Sequence, residues 1–556
     1  MLATLVRPGT GIAVGASLLG ALACGPRVIE SPPPVQAPAV AAEQPVSPLP
    51  GDSSYVRNTP VSNPVLQGIW NEGMQNSKLQ TLAQQLLDSI GPRLTGSPGS
   101  ARGRDWLVST YRSWGIDARQ EEYGSWASWD RGVAHVDLIS PRVRSLEATM
   151  LAWSPGTGGR AVEGDVIVLP DLATPEEYRA WLPQARGKFV LISPPRLSCR
   201  SQAQIEEYAT PSTITDMRRT QDTLTQGWVT RQVAAGGPRM QETMKEAGVL
   251  GVFSTYWSGY PGIQKIFGSW NQQIPTFDIT CEDYGLIYRL AAANQSPRVR
   301  MSAESESLGE RPMFNVVAEM RGRELPNEYV LLSAHFDSWD GASGATDNGT
   351  GTLVMLEAMR ILKQHYPNPR RTILVGHWGG EEQGLNGSRA FSEDHPEIVQ
   401  GLQAVWNQDN GTGRVVNMSP GPFANARPVI AGYLSEIPSQ ITRHITLGGV
   451  GGQQTGGTDH ASFQCHRAPA FNLGALSWDY GLTTWHTNRD TYDKVVFDDV
   501  KNNATLTAML AYLASEDDQR MPREILNPLP RNPRTGQQMT WQECAPAVRK
   551  SQDSRR

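Results

Sequence analysis

The sequence predicts an α/β fold: a mixed, mostly parallel sheet sandwiched by helices, with an inserted β-rich domain. Three observations carry that prediction. From Pro312 onward, apolar strands such as FNVVAEM, YVLLSA, TILVGHW and LQAVWN alternate with helical patterns such as TLVMLEAMRILKQHY. Continuous apolar strands separated by helices belong to a sheet covered on both faces. A stretch of short strands and turns, residues 132–308, interrupts this series, and the 556 residues exceed what one compact core accommodates.

The elements follow in order. Residues 1–24 read as a secretory signal: Arg7 precedes the apolar run GIAVGASLLGALA, which is too short for a comfortable membrane span. Its closing GALAC resembles a bacterial lipobox, in which Cys24 is lipidated. Residues 25–60 form a Pro-rich, nearly uncharged linker that cannot bury a core. The expectation is an exported bacterial lipoprotein, anchored to the membrane and facing the periplasm or cell surface. Residues 61–131 and 309–517 make the principal domain. Its first helices, from Leu79 to Gly115, break at Gly91-Pro92, and Ser100 is expected to cap the second. Residues 518–556 are a Pro- and Arg-rich tail expected to wrap the surface or hang loose.

The net charge of −5 is spread along the chain and indicates no nucleic-acid partner. After the N-terminal run no segment is apolar enough to cross a bilayer, so membrane contact is expected only through the lipid anchor. Cys199, Cys281, Cys465 and Cys544 show no CxxC spacing, which excludes a zinc knuckle; one bridge is compatible with an oxidising compartment, without a choice of pair.

In open α/β sheets ligands bind at the carboxyl ends of the strands. Four strands here lead into titratable groups at that end. YVLLSA runs into His335 and Asp337, with Asp347 opening the next helix; TILVGHW leads through Gly379-Gly380 to Glu381 and Glu382; LQAVWNQ leads to Asp409; the loop after AFNLGAL carries His486. Each alone reads as a strand end or helix cap, but their coincidence on one rim points to a metal site. Carboxylates and imidazoles without thiolates suit catalytic Zn²⁺. Five ligands with one bridging carboxylate supply three per ion for two ions about 3.5–4 Å apart. A water between them becomes a hydroxide nucleophile near neutral pH, and a further carboxylate must take and return its proton.

These residues resemble metallopeptidase family 28, the co-catalytic di-zinc aminopeptidases. The resemblance rests on HFDSWD, ATDNGTG, EEQGLNGS, NQDNGTG and WHTNRDT, with IGPRLTGSPG and GTDHASF as flanking signatures, and covers residues 75–125 and 312–515. The inserted QARGKFVLI and QIPTFDITCEDYGLIYRLA resemble the protease-associated domain of the glutamate carboxypeptidase branch. The resemblance implies a phosphorylase/hydrolase-like zinc exopeptidase fold holding two zinc ions per chain. His335 and Asp409 would hold one ion, Glu382 and His486 the other, Asp347 would bridge them, and Glu381 would be the general base and acid. Asp337 would orient the His335 imidazole, and His460 and Asp490 would support the site. The substrate implied is a peptide with a free N-terminus, cleaved as by an aminopeptidase or dipeptidase, and carboxypeptidase-type members often form homodimers. Thr455 stands where some members place an oxyanion-binding Tyr; the second zinc, His460 or Tyr480 are the alternatives for that task.

Two rivals share the fold. A glutaminyl-peptide cyclotransferase-like zinc acyltransferase also places Trp-His-Thr at the last ligand, but Asp347-Asn348 and the inserted domain fit peptidases better. A non-catalytic binding protein is disfavoured by the complete ligand set.

Overall fold

The computed structural model describes residues 62–269, 273–532 and 534–551. The expected signal segment 1–24 and linker 25–60 lie outside the described residues. Among the described residues no helix is long and apolar enough to cross a membrane.

Four adjacent strands form the parallel heart of the sheet, in the order Ala470–Ala475, Leu402–Asn407, Leu325–His335 and Arg371–Trp378. Every residue of the second and fourth of these is buried, as a parallel strand covered on both faces requires. One face carries the helices Pro64–Gln75, Pro98–Ser113, Thr350–His365 and Phe497–Glu516, packed through Leu332, Leu353, Leu356 and Leu510. The opposite face packs Leu331, Val405, Trp378 and Phe463 against the helices Asn386–Asp394 and His460–Gln464. Because all four strands point the same way, their carboxyl ends share one rim.

Two long strands, Asp117–Ser140 and Arg298–Met320, pair antiparallel along their length. The second joins Arg371–Trp378 through residues 316–320 and Val162–Val168 through residues 298–301. The sheet therefore runs without a break from the principal domain into the interrupting segment, and the expected boundaries at 131/132 and 308/309 fall inside these strands. In that segment Val162–Val168, Phe189–Leu191, Gly251–Ser254 and Thr276–Ile279 form a second parallel set.

The segment is richer in helix than the expected β-rich insert. Its helix Pro211–Ala234 spans 24 residues, yet buries only Trp228 and Ala234. Its sequence, PSTITDMRRTQDTLTQGWVTRQVA, lacks the apolar stripe that announces a helix in a sequence. Two disulfides form, Cys199–Cys281 and Cys465–Cys544, where one was expected. The described residues of the tail pack on the principal domain: Ile525 bridges Phe423, Lys550 bridges Ser125, and Arg549 pairs with Glu393 and Asp394. The cap of the helix Pro98–Ser113 is Ser97, not Ser100; Ser97 Oγ accepts the Ser100 amide at 3.1 Å.

Candidate metal centre

Five side chains from the shared rim converge. His335 is the last residue of its strand and is fully buried. Its Nε2 lies 3.3 Å from Asp409 Oδ1 and 3.4 Å from Asp347 Oδ1. The other oxygen of Asp347, Oδ2, lies 3.2 Å from His486 Nε2, which is 2.9 Å from Glu382 Oε2. One carboxylate thus faces two different imidazoles, and two three-residue clusters share it. Glu381 Oε2 stands 3.8 Å from His335 Nε2.

Tetrahedral zinc with bonds of about 2.0–2.1 Å separates its ligand atoms by about 3.3 Å. The spacings above match that separation. His335 Nε2, Asp347 Oδ2 and Glu382 Oε1 are buried without a hydrogen-bond partner among the described residues. Buried polar atoms are ordinarily paired, so these fit a cation better than they fit one another.

The electrostatics agree. Burial pushes the Glu382 carboxyl up to about 7, helped by the charge of Asp347, and pushes Glu381 well above the ordinary range. Burial opposes charge on His335, but Asp409 and Glu381 facing it, with Asp337 and Asp347 beside it, push its imidazole well up. Burial likewise opposes charge at His486, where Asp347 and Glu382 win and the imidazole reaches about 9. Burial favours a protonated Asp347, yet the two imidazoles facing its oxygens hold it well below the carboxylate range. This many buried anions around two imidazoles leave net negative charge that a divalent cation neutralises.

The surrounding groups fix the ligands. Asp337 accepts hydrogen bonds from Thr95 Oγ1 at 3.0 Å and from the amides of Glu381 at 3.2 Å and Glu382 at 3.4 Å. It therefore pins the turn bearing the paired glutamates. Its link to His335 runs chiefly through its carbonyl, 3.1 Å from Nδ1, with the carboxylate at 3.5 Å, because Asp337 lies past the strand end. Gly380 makes the tight turn at φ 67°, and a Cβ there would stand 2.5 Å from the Tyr123 hydroxyl. Asp490 accepts from the amides of Thr346 at 2.7 Å and Asp347 at 3.0 Å, holding the bridging carboxylate in place.

His460 does not reach this cluster: its Nε2 meets Gln454 Oε1, and burial drops it to about 4. It opens a helix, and the fully buried Asp459 before it is the one that feels the charges of the cluster. Burial pushes Asp459 up to about 7 while His335 opposes; the charges of Asp409 and Asp337 add to the rise. Thr455 lines a small cavity beside Cys465 and Cys544, whereas Tyr480 feels the charges of Asp347 and Asp409.

Sequence reasoning missed Arg93. This guanidinium is fully buried and donates from Nε to Phe336 O at 2.5 Å, from Nη1 to Ser343 O at 2.8 Å and Gly91 O at 3.0 Å, and from Nη2 to Gly344 O at 2.8 Å. It clamps the loop that joins His335 to Asp347. The signal was present in IGPRLTGSPG, which places Arg93 two residues before Thr95. Of the tryptophans near the motifs, which the sequence offers equally as pocket lining or as core, Trp485 stacked at 4.1 Å and Trp339 at 6.0 Å between ring centroids wall His486; Phe267 at 5.2 Å, from the interrupting segment, was missed. Trp378 and Trp406, by contrast, are fully buried core.

Residues 315–511, which contain every residue of the two clusters, match the family model described as Peptidase family M28. The chain carries a peptidase family M28 domain. Carboxypeptidase Q of Mus musculus is 26% identical over 442 residues, covering 79% of this chain and 86% of that protein. The crystal structure of a Peptidase M28 precursor from Shewanella amazonensis SB2B shares the fold, with a TM-score of 0.59 and 22% identity over 84% of this chain and 98% of that one. BSAP, a zinc aminopeptidase from Bacillus subtilis, superposes with a TM-score of 0.50 at 17% identity, over 81% of this chain and 97% of its own. The M28 domain is a zinc metallopeptidase of α/β fold, and the long strands of its sheet continue into the segment that carries Phe267.

Proposed function

We propose that the chain is an exopeptidase that removes residues from the N-terminus of peptides, using two zinc ions per chain. The observation that carries this reading is Asp347, whose two oxygens face His335 and His486 at 3.4 and 3.2 Å. Asp347 would hold two cations, one together with His335 and Asp409, the other with Glu382 and His486. Zinc held there would supply Lewis acidity and lower the pKa of a bound water.

The protein's own groups do the rest. Each three-residue set is complete without Glu381, which leaves this buried carboxylate free to take a proton from water and return it to the leaving amine. Asp337, bound to the amides of Glu381 and Glu382, keeps one carboxylate aimed at the cations and the other at the substrate. Tyr480, which feels the charges of Asp347 and Asp409, is the donor we assign to the developing oxyanion in preference to Thr455 and His460. The substrate's free α-amine is drawn to the surplus of carboxylates, and Trp339 and Phe267 shape the space beside His486. The signal-like N-terminus and two disulfides support export to an oxidising compartment with a lipid tether.

The test compares a peptide with its N-acetylated form while the zinc content of the same sample is measured. The expected result is two zinc ions, release of the first residue and no turnover of the acetylated peptide. Equal hydrolysis of both would defeat the reading. One zinc with cyclisation of N-terminal Gln would favour the acyltransferase.

A further inference from the structure

A cavity of about 540 Å³ opens between the helices Gln202–Tyr208 and Pro211–Ala234, the loop at Trp257 and the turn at Leu482. That volume lies within the range of small-ligand sites. Ile205, Ile214, Met217, Trp257 and Leu482 give it an apolar side, and Glu206 and Asp479 also line it. Three arginines stand in it, Arg196 and Arg200 on either side of Cys199, and Arg218. The Arg196 guanidinium lies over the Trp257 ring, 5.9 Å from the centroid, and its buried Nε has no hydrogen-bond partner among the described residues. The third, Arg218, is already paired with Glu206 at 2.9 Å. Glu206 is engaged by Arg218 and Asp479 by Tyr260, whereas the Arg196 guanidinium, with its Nε unbonded on an aromatic face beside apolar side chains, is a receptor for a carboxylate carried on an apolar residue.

The cavity is joined to the metal centre by two segments that line both. One runs from Trp257 and Tyr260 to Ile266, the other from Asp479 and Leu482 to His486. They are bonded along their length: Tyr260 Oη donates to Asp479 Oδ2 at 3.3 Å, Lys265 Nζ to Gly481 O at 2.7 Å, and the Ile266 amide to His486 O at 2.7 Å. Leu482 is four residues from His486, so their Cα atoms are at most about 14 Å apart. An extended peptide advances about 3.3 Å per residue, which places its third or fourth residue at the cavity.

We propose that this cavity binds the carboxy-terminal residue of tri- and tetrapeptide substrates, its apolar side chain inside and its free carboxylate on Arg196. The proposal rests on the exopeptidase reading and deepens it by naming substrate length and terminus. It predicts a preference for short peptides over both dipeptides and long chains.

The test is steady-state kinetics on tri- and tetrapeptides ending in Leu, as free acids and as C-terminal amides, with leucinamide as the short control. For wild type, amidation is expected to raise KM at least tenfold with kcat within twofold. Arg196→Met is expected to collapse the acid-to-amide KM ratio below two, and Arg196→Lys to restore part of it. Leu482→Glu, which sets a like charge against the carboxylate, is expected to raise KM for the acids more than for the amides. Equal KM for acids and amides in wild type, or an unchanged ratio in Arg196→Met, would overturn the subsite. Absence of leucinamide and peptide turnover by zinc-loaded wild type would instead overturn the exopeptidase reading.

Discussion

The main-chain amide of Ile266 donates a hydrogen bond to the carbonyl of His486 at 2.7 Å. Ile266 belongs to the segment that interrupts the M28 domain, whereas His486 is one of the residues facing Asp347. The bond holds a residue whose φ of 52° is uncommon outside glycine. Such backbone strain is of order 1–3 kcal/mol and persists only where neighbours over-determine it. A bridge between Lys265 and Thr487 and the ring stack of Trp485 supply the rest of that restraint.

Replacing Ile266 with Pro removes that donor while leaving the ligand set intact. Groups of this supporting kind change metal affinity or activity by about 10- to 100-fold when altered. The expected outcome for Ile266→Pro is a fall in kcat/KM of that size and zinc below two per chain after dialysis. Metal analysis beside kinetics checks it; full zinc with unchanged rate would show that His486 needs no help.

Glu381→Gln keeps the shape and loses the base. Zinc content should stay at the wild-type level while kcat drops by about 10²- to 10⁴-fold. Turnover within tenfold of wild type would move the proton-transfer role to another group.

Asp347→Ala deletes the oxygen pair shared by both clusters. Ligands that bind only the folded state raise its stability. Chelator should therefore lower the melting temperature of the zinc-loaded wild type and leave Asp347→Ala unmoved. A chelator-induced shift of equal size in both would separate the zinc from this carboxylate.

Arg93→Met removes the donor to four carbonyls, of which Gly344 O keeps the Gly349 amide, and each group left unsatisfied in the interior contributes about 1–3 kcal/mol of destabilisation. Urea unfolding is expected to show a loss of several kcal/mol. Arg93→Lys should recover only part, because one ammonium cannot reach carbonyls spread around a planar fork. A loss under 1 kcal/mol would mean that the loop from Phe336 to Gly344 holds itself.

His377 is buried with its Nε2 2.8 Å from the Tyr111 hydroxyl, and burial drops its imidazole to about 3. The unfolded chain protonates this group near its ordinary pKa of about 6.5. Between these two values the unfolded state holds the extra proton, so stability falls as pH falls, by up to about 1.4 kcal/mol per pH unit from this group. His377→Gln should flatten the acid limb of a stability–pH curve. An unchanged limb would place the acid sensitivity in other groups.

Much of this was legible in the residues. Strands of the parallel heart announce themselves because both faces are buried, and the polar groups at their carboxyl ends stand out against that background. His335, Asp347, Glu381, Glu382, Asp409 and His486 were found that way. Arg93 was not, because its role is to satisfy carbonyl oxygens, and a sequence records no trace of which carbonyls lack donors. His460 was misplaced because it opens a helix, where adjacent side chains diverge by about 100° and Asp459, not His460, comes to the cluster. The helix Pro211–Ala234 stayed hidden because its exposed faces carry polar residues at every phase. The disulfide pairs were beyond reach for the usual reason: Cys199 and Cys281 are 82 residues apart, and only the fold brings them together.

The continuity of the strands Asp117–Ser140 and Arg298–Met320 has a mechanical consequence. Paired antiparallel along their length, the two strands form one ribbon that stiffens the link between the M28 domain and the wall bearing Phe267 and Arg196. If the proposed subsite and its two cations hold, that ribbon sets the span a peptide must bridge between them.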